Sequence, residues 1–149
     1  MGRLTDLLNL AHARGEELRL PYAGALTPKE AWEIWKLAPG AKLVDVRTRA
    51  EWTWVGRIPG AVEIEWMHYP TNQPNGHFLA QLKQQVDPEA LVMFICRSGA
   101  RSHNAAGLAS QSGYSECYNV LEGFEGDIDA NGQRGNTGGW RQSKLPWIS

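Results

Sequence analysis

The sequence predicts an α/β protein with a mainly parallel sheet covered by helices on both faces, and two observations carry that prediction. The run Leu91-Val92-Met93-Phe94-Ile95 is apolar without a break, which is the pattern of a strand buried on both sides rather than one with a wet face. Apolar strand-like runs also alternate along the chain with stretches of helical spacing, the order of a sheet joined by crossover connections. A third observation places the chemistry. The buried run turns directly into Cys96-Arg97-Ser98-Gly99-Ala100-Arg101 and then into a helix, and in open α/β sheets ligands bind beyond the carboxyl ends of the strands.

The elements follow in order. Leu4, Leu7, Leu8 and Ala11 share one helical face, predicting an amphipathic helix over residues 4 to 14 that Gly15 and Pro21 limit. Residues 1–24 are expected to form an N-terminal helical extension packed on a domain of residues 25–149. Thr27-Pro28-Lys29-Glu30 is a capping box with proline at the first helical position, and Ile34, Trp35 and Ala38 carry that helix to Pro39-Gly40. Leu43 to Val46 is a strand. A second capping box, Thr48-Arg49-Ala50-Glu51, opens a short helix through Trp52 and Val55. Strands are expected at residues 61–64, 91–95 and 116–120, a helix at 78–86, and another from Ala100, with Ala105, Ala106, Leu108 and Ala109 as its small apolar face and Gly113 as its stop.

Cys96 sits where loop N–H groups and a positive helix end converge on an anion. A free cysteine ionises near ~8.5, so a thiolate that dominates at neutral pH needs about 2 kcal/mol of stabilisation. A helix N-terminus supplies about 0.3 to 1 kcal/mol of that. The rest is expected from inward-facing N–H groups and from Arg97 and Arg101. Asp45 and Arg47, at a strand's carboxyl end, are expected to pair and to support the site, because charges placed there need partners. Glu51 is expected to cap its helix and to pair with Arg47 rather than to act as an acid. Cys117, inside the last strand, is expected to be inert core. His103, in the first turn after the loop, could donate a proton locally, but a thiolate nucleophile needs no base.

Several segments in sequence order resemble the single-domain rhodanese (sulfurtransferase) family. Leu43-Val44-Asp45-Val46-Arg47 is similar to its first central strand, and Glu51 followed by Gly56-Arg57-Ile58-Pro59-Gly60-Ala61 to its downstream turn. Cys96 to Arg101 resembles its six-residue active-site loop, and Asn119-Val120-Leu121-Glu122-Gly123 its last strand and exit. The resemblance implies a three-layer fold around a mainly parallel five-stranded sheet. It also implies transfer of a sulfane sulfur from thiosulfate or a persulfide, through a persulfide on Cys96, to cyanide or a thiol. Arg97, Ser98, Gly99, Ala100 and Arg101 would bind the anionic donor, with Asp45, Arg47, Glu51 and Ser102 in support. No metal or organic cofactor is expected; the partners would be the small donor and acceptor, with a protein sulfur acceptor as a further candidate.

Two positions depart from the family pattern. Arg57 stands where histidine is frequent, and Phe124 where a second glycine is expected; the tryptophan that normally follows closely is delayed, to Trp140. Residues 125 to 139, rich in Gly, Asp and Asn, are expected to lie over or beside the Cys96 pocket, since a loop of that length in a compact domain is often functional.

Other chemistries fit less well. A cysteine phosphatase uses a comparable thiolate loop one residue longer between cysteine and arginine, and it usually carries histidine where Ile95 stands. A rhodanese-like module that only binds partners is a further alternative, against which Cys96 and both arginines speak. A net charge of −1 gives neither a nucleic-acid footprint nor a polybasic membrane patch. The longest apolar run, Ala90 to Cys96, is too short to span a bilayer. The two cysteines make no Cys-x-x-Cys pair or zinc pattern, so a reducing, cytoplasmic setting is expected. Asp127-Ile128-Asp129-Ala130-Asn131-Gly132 copies the first half of an EF-hand loop, but Gly138 occupies the position of the required bidentate Glu. The seven tryptophans lack the basic context of a base-stacking platform and are expected in the core or in pocket walls.

Overall fold

A computed structural model gives the structure of residues 2–149. Helix α1 (Arg3–Glu17) leads into strand β1 (Gly24–Leu26) and helix α2 (Pro28–Leu37), followed by β2 (Lys42–Asp45), α3 (Arg49–Trp54) and β3 (Val62–Glu63). An antiparallel hairpin of β4 (Met67–His68) and β5 (Gln73–Pro74) precedes α4 (Phe78–Gln85), β6 (Val92–Ile95), α5 (Ala100–Gln111) and β7 (Cys117–Val120). The main sheet has five strands in the order β1-β7-β6-β2-β3, and every pairing in it is parallel.

Side chains along β6 alternate between two cores. Val92, Phe94 and Cys96 join Phe78 and Leu82 of α4 and Ala105, Ala106 and Ala109 of α5. Met93 and Ile95 face the other way, with Leu7 and Ala11 of α1 and Ala31 and Ile34 of α2. Because successive strand residues point to opposite faces and helices cover both, no position in the run can be polar. Both capping boxes form: Thr27 with Glu30, and Thr48 with Glu51.

Helix α1 runs past Gly15 to Glu17 rather than stopping there. The reason is contact, not helix breaking. A Cβ on Gly15 would stand 2.7 Å from the Ala23 carbonyl oxygen, so the missing side chain lets α1 lie against the chain entering β1. Leu7 and Ala11 of α1 are buried, and Arg14 of α1 pairs with Glu30 of α2 at 2.5 Å. The expected boundary between residues 24 and 25 falls inside β1, a strand of three residues too short to show a period. At the other end, Arg57 and Ile148 exchange two backbone hydrogen bonds of 2.8 Å, tying the C-terminal segment to the turn after α3. Among the described residues, no helix is long and apolar enough to cross a membrane.

Candidate active site

The loop from Cys96 to Arg101 closes on the sulfur. Gly99 N–H donates to Cys96 Sγ at 3.1 Å. Gly99 has φ +115°, a left-handed conformation that glycine adopts without a Cβ penalty, and it caps α5 from there. The Ser102 hydroxyl lies 3.3 Å from Sγ and 2.6 Å from Asn119 Oδ1, while Asn119 Nδ2 donates to the Gly99 carbonyl at 3.2 Å. The loop's carbonyls are satisfied from other segments: Phe124 N–H donates to Cys96 O at 2.8 Å, Glu125 N–H to Arg97 O at 3.0 Å and His103 N–H to Gly99 O at 3.1 Å. The N–H groups of Ser98, Ala100 and Arg101 have no acceptor among the described residues. An anion cradle consists of such groups.

The exit from β7 backs this loop closely. A Cβ on Gly123 would lie 2.5 Å from both the Cys96 oxygen and the Arg97 carbonyl carbon, and Gly123 has φ +62°. Phe124, at the position where a second glycine was expected, places its ring 4.1 Å from the guanidinium carbon of Arg47.

Arg47 and Asp45 are both fully buried. They pair as expected, with Nε 3.0 and 3.1 Å from the two Asp45 oxygens and Nη2 2.8 Å from Oδ2. Nη2 also reaches the Gly56 carbonyl at 2.8 Å. The expected pairing of Glu51 with Arg47 does not form. Asp45, two residues away on the same strand end, occupies the Arg47 fork, and Glu51 instead grips Arg101 through two bonds of 2.7 and 3.0 Å. Glu51 keeps its capping contact with Thr48 at the same time. Burial alone would raise the Glu51 carboxyl, but the hydrogen bonds and charge of Arg101 outweigh it and hold the group below the ordinary carboxylate range. Of the two loop arginines expected on a donor, Arg101 is thus engaged, while Arg97 is exposed and has no acidic partner among the described residues.

A cleft of about 540 Å³ opens beside the loop, walled by Arg97, Arg101, Glu51, Trp54, Tyr69 and Glu125, among others. Cys96 is 1% exposed and is not part of that wall, so the sulfur is reached past the arginines. Glu125 is the contact that the 125–139 segment makes with the cleft. Its remainder folds around Asp129, whose Oδ1 accepts from the N–H groups of Asn131 and Gln133 and whose Oδ2 accepts from Asn136, each at 2.9 Å. The carboxylate that suggested a calcium loop is therefore spent on closing the segment.

Cys117 is fully buried, and burial pushes its thiol up to about 12. The Tyr22 hydroxyl meets His103 Nδ1 at 2.7 Å. Three participants, Asn119, Met67 and Tyr69, are not singled out by the sequence. Asn119 was visible only as a polar residue inside an apolar strand, and the hairpin residues Met67 and Tyr69 that wall the cleft with Trp54 carried no signal at all.

The Rhodanese-like domain family matches residues 27–130 of the chain. The chain belongs to the rhodanese family. Among solved structures, Rv0390 from M. tuberculosis is 45% identical with a TM-score of 0.78, covering 85% of this chain and 97% of that one. Among curated relatives, the uncharacterized RP600 homolog of Rickettsia rickettsii is 40% identical over 111 residues, 72% of this chain and 82% of its own. Thiosulfate sulfurtransferase GlpE of Actinobacillus pleuropneumoniae serotype 3 is 30% identical over 121 residues, 81% and 89% of the two chains. The five-stranded parallel sheet and the covering helices are those of a rhodanese-like domain.

Proposed function

We propose that this rhodanese-like protein is a sulfurtransferase that carries a sulfane sulfur on Cys96 from an anionic donor to a thiophilic acceptor. The observation that carries the proposal is the approach of the Gly99 N–H and the Ser102 hydroxyl to Cys96 Sγ, at 3.1 and 3.3 Å, at the start of α5. The Gly99 N–H and the helix end stabilise charge on the sulfur, and the Ser102 hydroxyl, whose proton goes to Asn119 Oδ1 at 2.6 Å, packs against it. Family membership and a relative named as a thiosulfate sulfurtransferase support the same assignment.

In the first half-reaction the Cys96 thiolate attacks the outer sulfur of thiosulfate or of a persulfide. That sulfur bonds to Sγ, and sulfite or a thiol departs with the electron pair of the broken S–S bond. In the second, cyanide or a thiol attacks the outer sulfur and restores the thiolate. This is covalent catalysis in two steps without net oxidation. Arg97 meets the anionic donor, the free loop N–H groups hold the persulfide, and Glu51 and Asp45 fix Arg101 and Arg47 around them. A cytoplasmic setting suits the free thiol.

Cys96→Ser tests the assignment, because a hydroxyl is nearly isosteric and far less nucleophilic than a thiolate. Exposure to thiosulfate should add the mass of one sulfur atom to the native protein on Cys96 and nothing to the variant. Cys117→Ser should still take up the sulfur. Retained thiosulfate:cyanide activity in Cys96→Ser would refute the proposal.

A further inference from the structure

Building on that proposed function, we propose that the site favours an organic persulfide, R–S–S⁻, over dianionic thiosulfate, and that Glu51 sets this preference by neutralising Arg101. The charged side chains on the cleft wall balance: Arg97 and Arg101 against Glu51 and Glu125. Both Glu51 oxygens lie on Arg101 nitrogens, at 2.7 and 3.0 Å, with the two side chains 18% and 17% exposed. A bidentate pair shielded in this way presents almost no net charge to an incoming anion. Of the charged side chains on the wall, Arg97 is left to attract one beside the loop N–H groups, and the Cys96 thiolate behind it repels. A donor with one negative charge approaches this arrangement with less opposition than a donor with two.

The rest of the wall points the same way. Trp54 is 73% exposed and Tyr69 56%, and their rings pack edge to face 5.9 Å apart, beside Met67 and Val55. Thiosulfate is a small hydrated ion with no apolar part to lay on such a surface. An organic R group has one, and a cleft of about 540 Å³ lies within the ~300–1,000 Å³ that usually holds organic ligands. The transfer balances without an oxidant or reductant. Cys96–S⁻ and R–S–S⁻ become Cys96–S–S⁻ and R–S⁻: Sγ bonds to the terminal sulfur, and the donor's S–S bond breaks with its electron pair on R–S, which leaves as the thiolate.

Stopped-flow formation of the Cys96 persulfide should be compared for benzyl persulfide, methyl persulfide and thiosulfate, at low and high salt. For the native protein, benzyl persulfide should react at least about tenfold faster than thiosulfate, and added salt should speed thiosulfate more by screening like charges. Glu51→Gln retains the capping box, which accepts Glu or Gln at that position, and should raise the thiosulfate-to-benzyl ratio by about tenfold. Glu125→Gln should shift it the same way, and provides a second charge variant should the first fold poorly. Trp54→Ala should lower the benzyl-to-methyl ratio. Thiosulfate reacting as fast as benzyl persulfide, or slowed by salt, would overturn the inference, as would a ratio unmoved by both Gln variants. No Cys96 persulfide from any donor would instead bring down the sulfurtransferase function itself.

Discussion

Arg47 is accommodated at zero exposure because Asp45 holds its Nε and Nη2 edge, the Gly56 carbonyl accepts from Nη2, and the Phe124 ring covers the guanidinium. Removing one member of such a pair leaves the other buried and uncompensated, so Arg47→Met should cost about 3–5 kcal/mol. Urea denaturation should show this, and the Asp45→Leu/Arg47→Met double variant should cost less than the sum of the single changes. Had the two costs simply added, the pair would not be acting as a unit. The pairing of Asp45 with Arg47 was legible in the sequence because it is local, two residues apart on one strand end. So was the Cys96 loop, whose contacts to the sulfur, Gly99 and Ser102, lie within the same short stretch. The partnership of Glu51 with Arg101 was not, since fifty positions separate them and only the folded sheet brings α3 opposite the start of α5. Asn119 was hidden for the same reason: its partners Ser102 and Gly99 are on another element.

At the scale of elements, the two capping boxes have the same chemistry and different neighbours. Thr27 and Thr48 each accept from the N–H three residues on, at 3.3 and 3.2 Å, and loss of either hydroxyl should cost about 1 kcal/mol of stability. Only the second box holds a residue of the cleft. Glu51 accepts from the Thr48 N–H at 3.0 Å and hydroxyl at 3.1 Å while it grips Arg101, so Thr48→Ala should also slow Cys96 persulfide formation from benzyl persulfide. Thr27→Ala should match it in thermal unfolding and keep the native rate. Equal rates in both variants would show that Glu51 needs no support from its helix start. These boxes were readable because Thr-x-x-Glu is a local signal, and β6 because its burial on both faces forced an unbroken apolar run. Strand β1 was not readable. Its three residues acquire their identity from pairing with β7, and Gly15 signals a helix stop until Ala23 is seen packed against it.

Across the whole molecule, carboxylates that join elements set the response to acid. Glu30 links α2 to α1 through Arg14, and Glu51 links α3 to α5 through Arg101. Burial would raise both carboxyls, but hydrogen bonds from the arginines more than reverse it, and both lie below the ordinary range. A group depressed in the folded state contributes stability that is present above its unfolded value, near ~4.3 for Glu, and is lost as pH falls through the folded value. Glu63 works in the opposite sense, because burial pushes it up, so its contribution is present at low pH and lost as pH rises through its raised value. Cys117 and Tyr22, each pushed up to about 12 by burial, erode stability on the alkaline side, beginning where an unfolded thiol ionises near ~8.5. The melting temperature should therefore be highest between about pH 6 and 8 and fall on both sides. Glu30→Gln and Glu51→Gln should each flatten the acid limb of the curve, because each removes one carboxylate whose protonation favours unfolding. Their effects on chemistry should separate: Glu30→Gln should keep the native donor preference, since Glu30 lies between α1 and α2, whereas Glu51→Gln should change it. Melting curves from pH 3 to 10 for the native protein and both variants would check this, and an acid limb as steep in both variants as in the native protein would place the acid sensitivity in other groups.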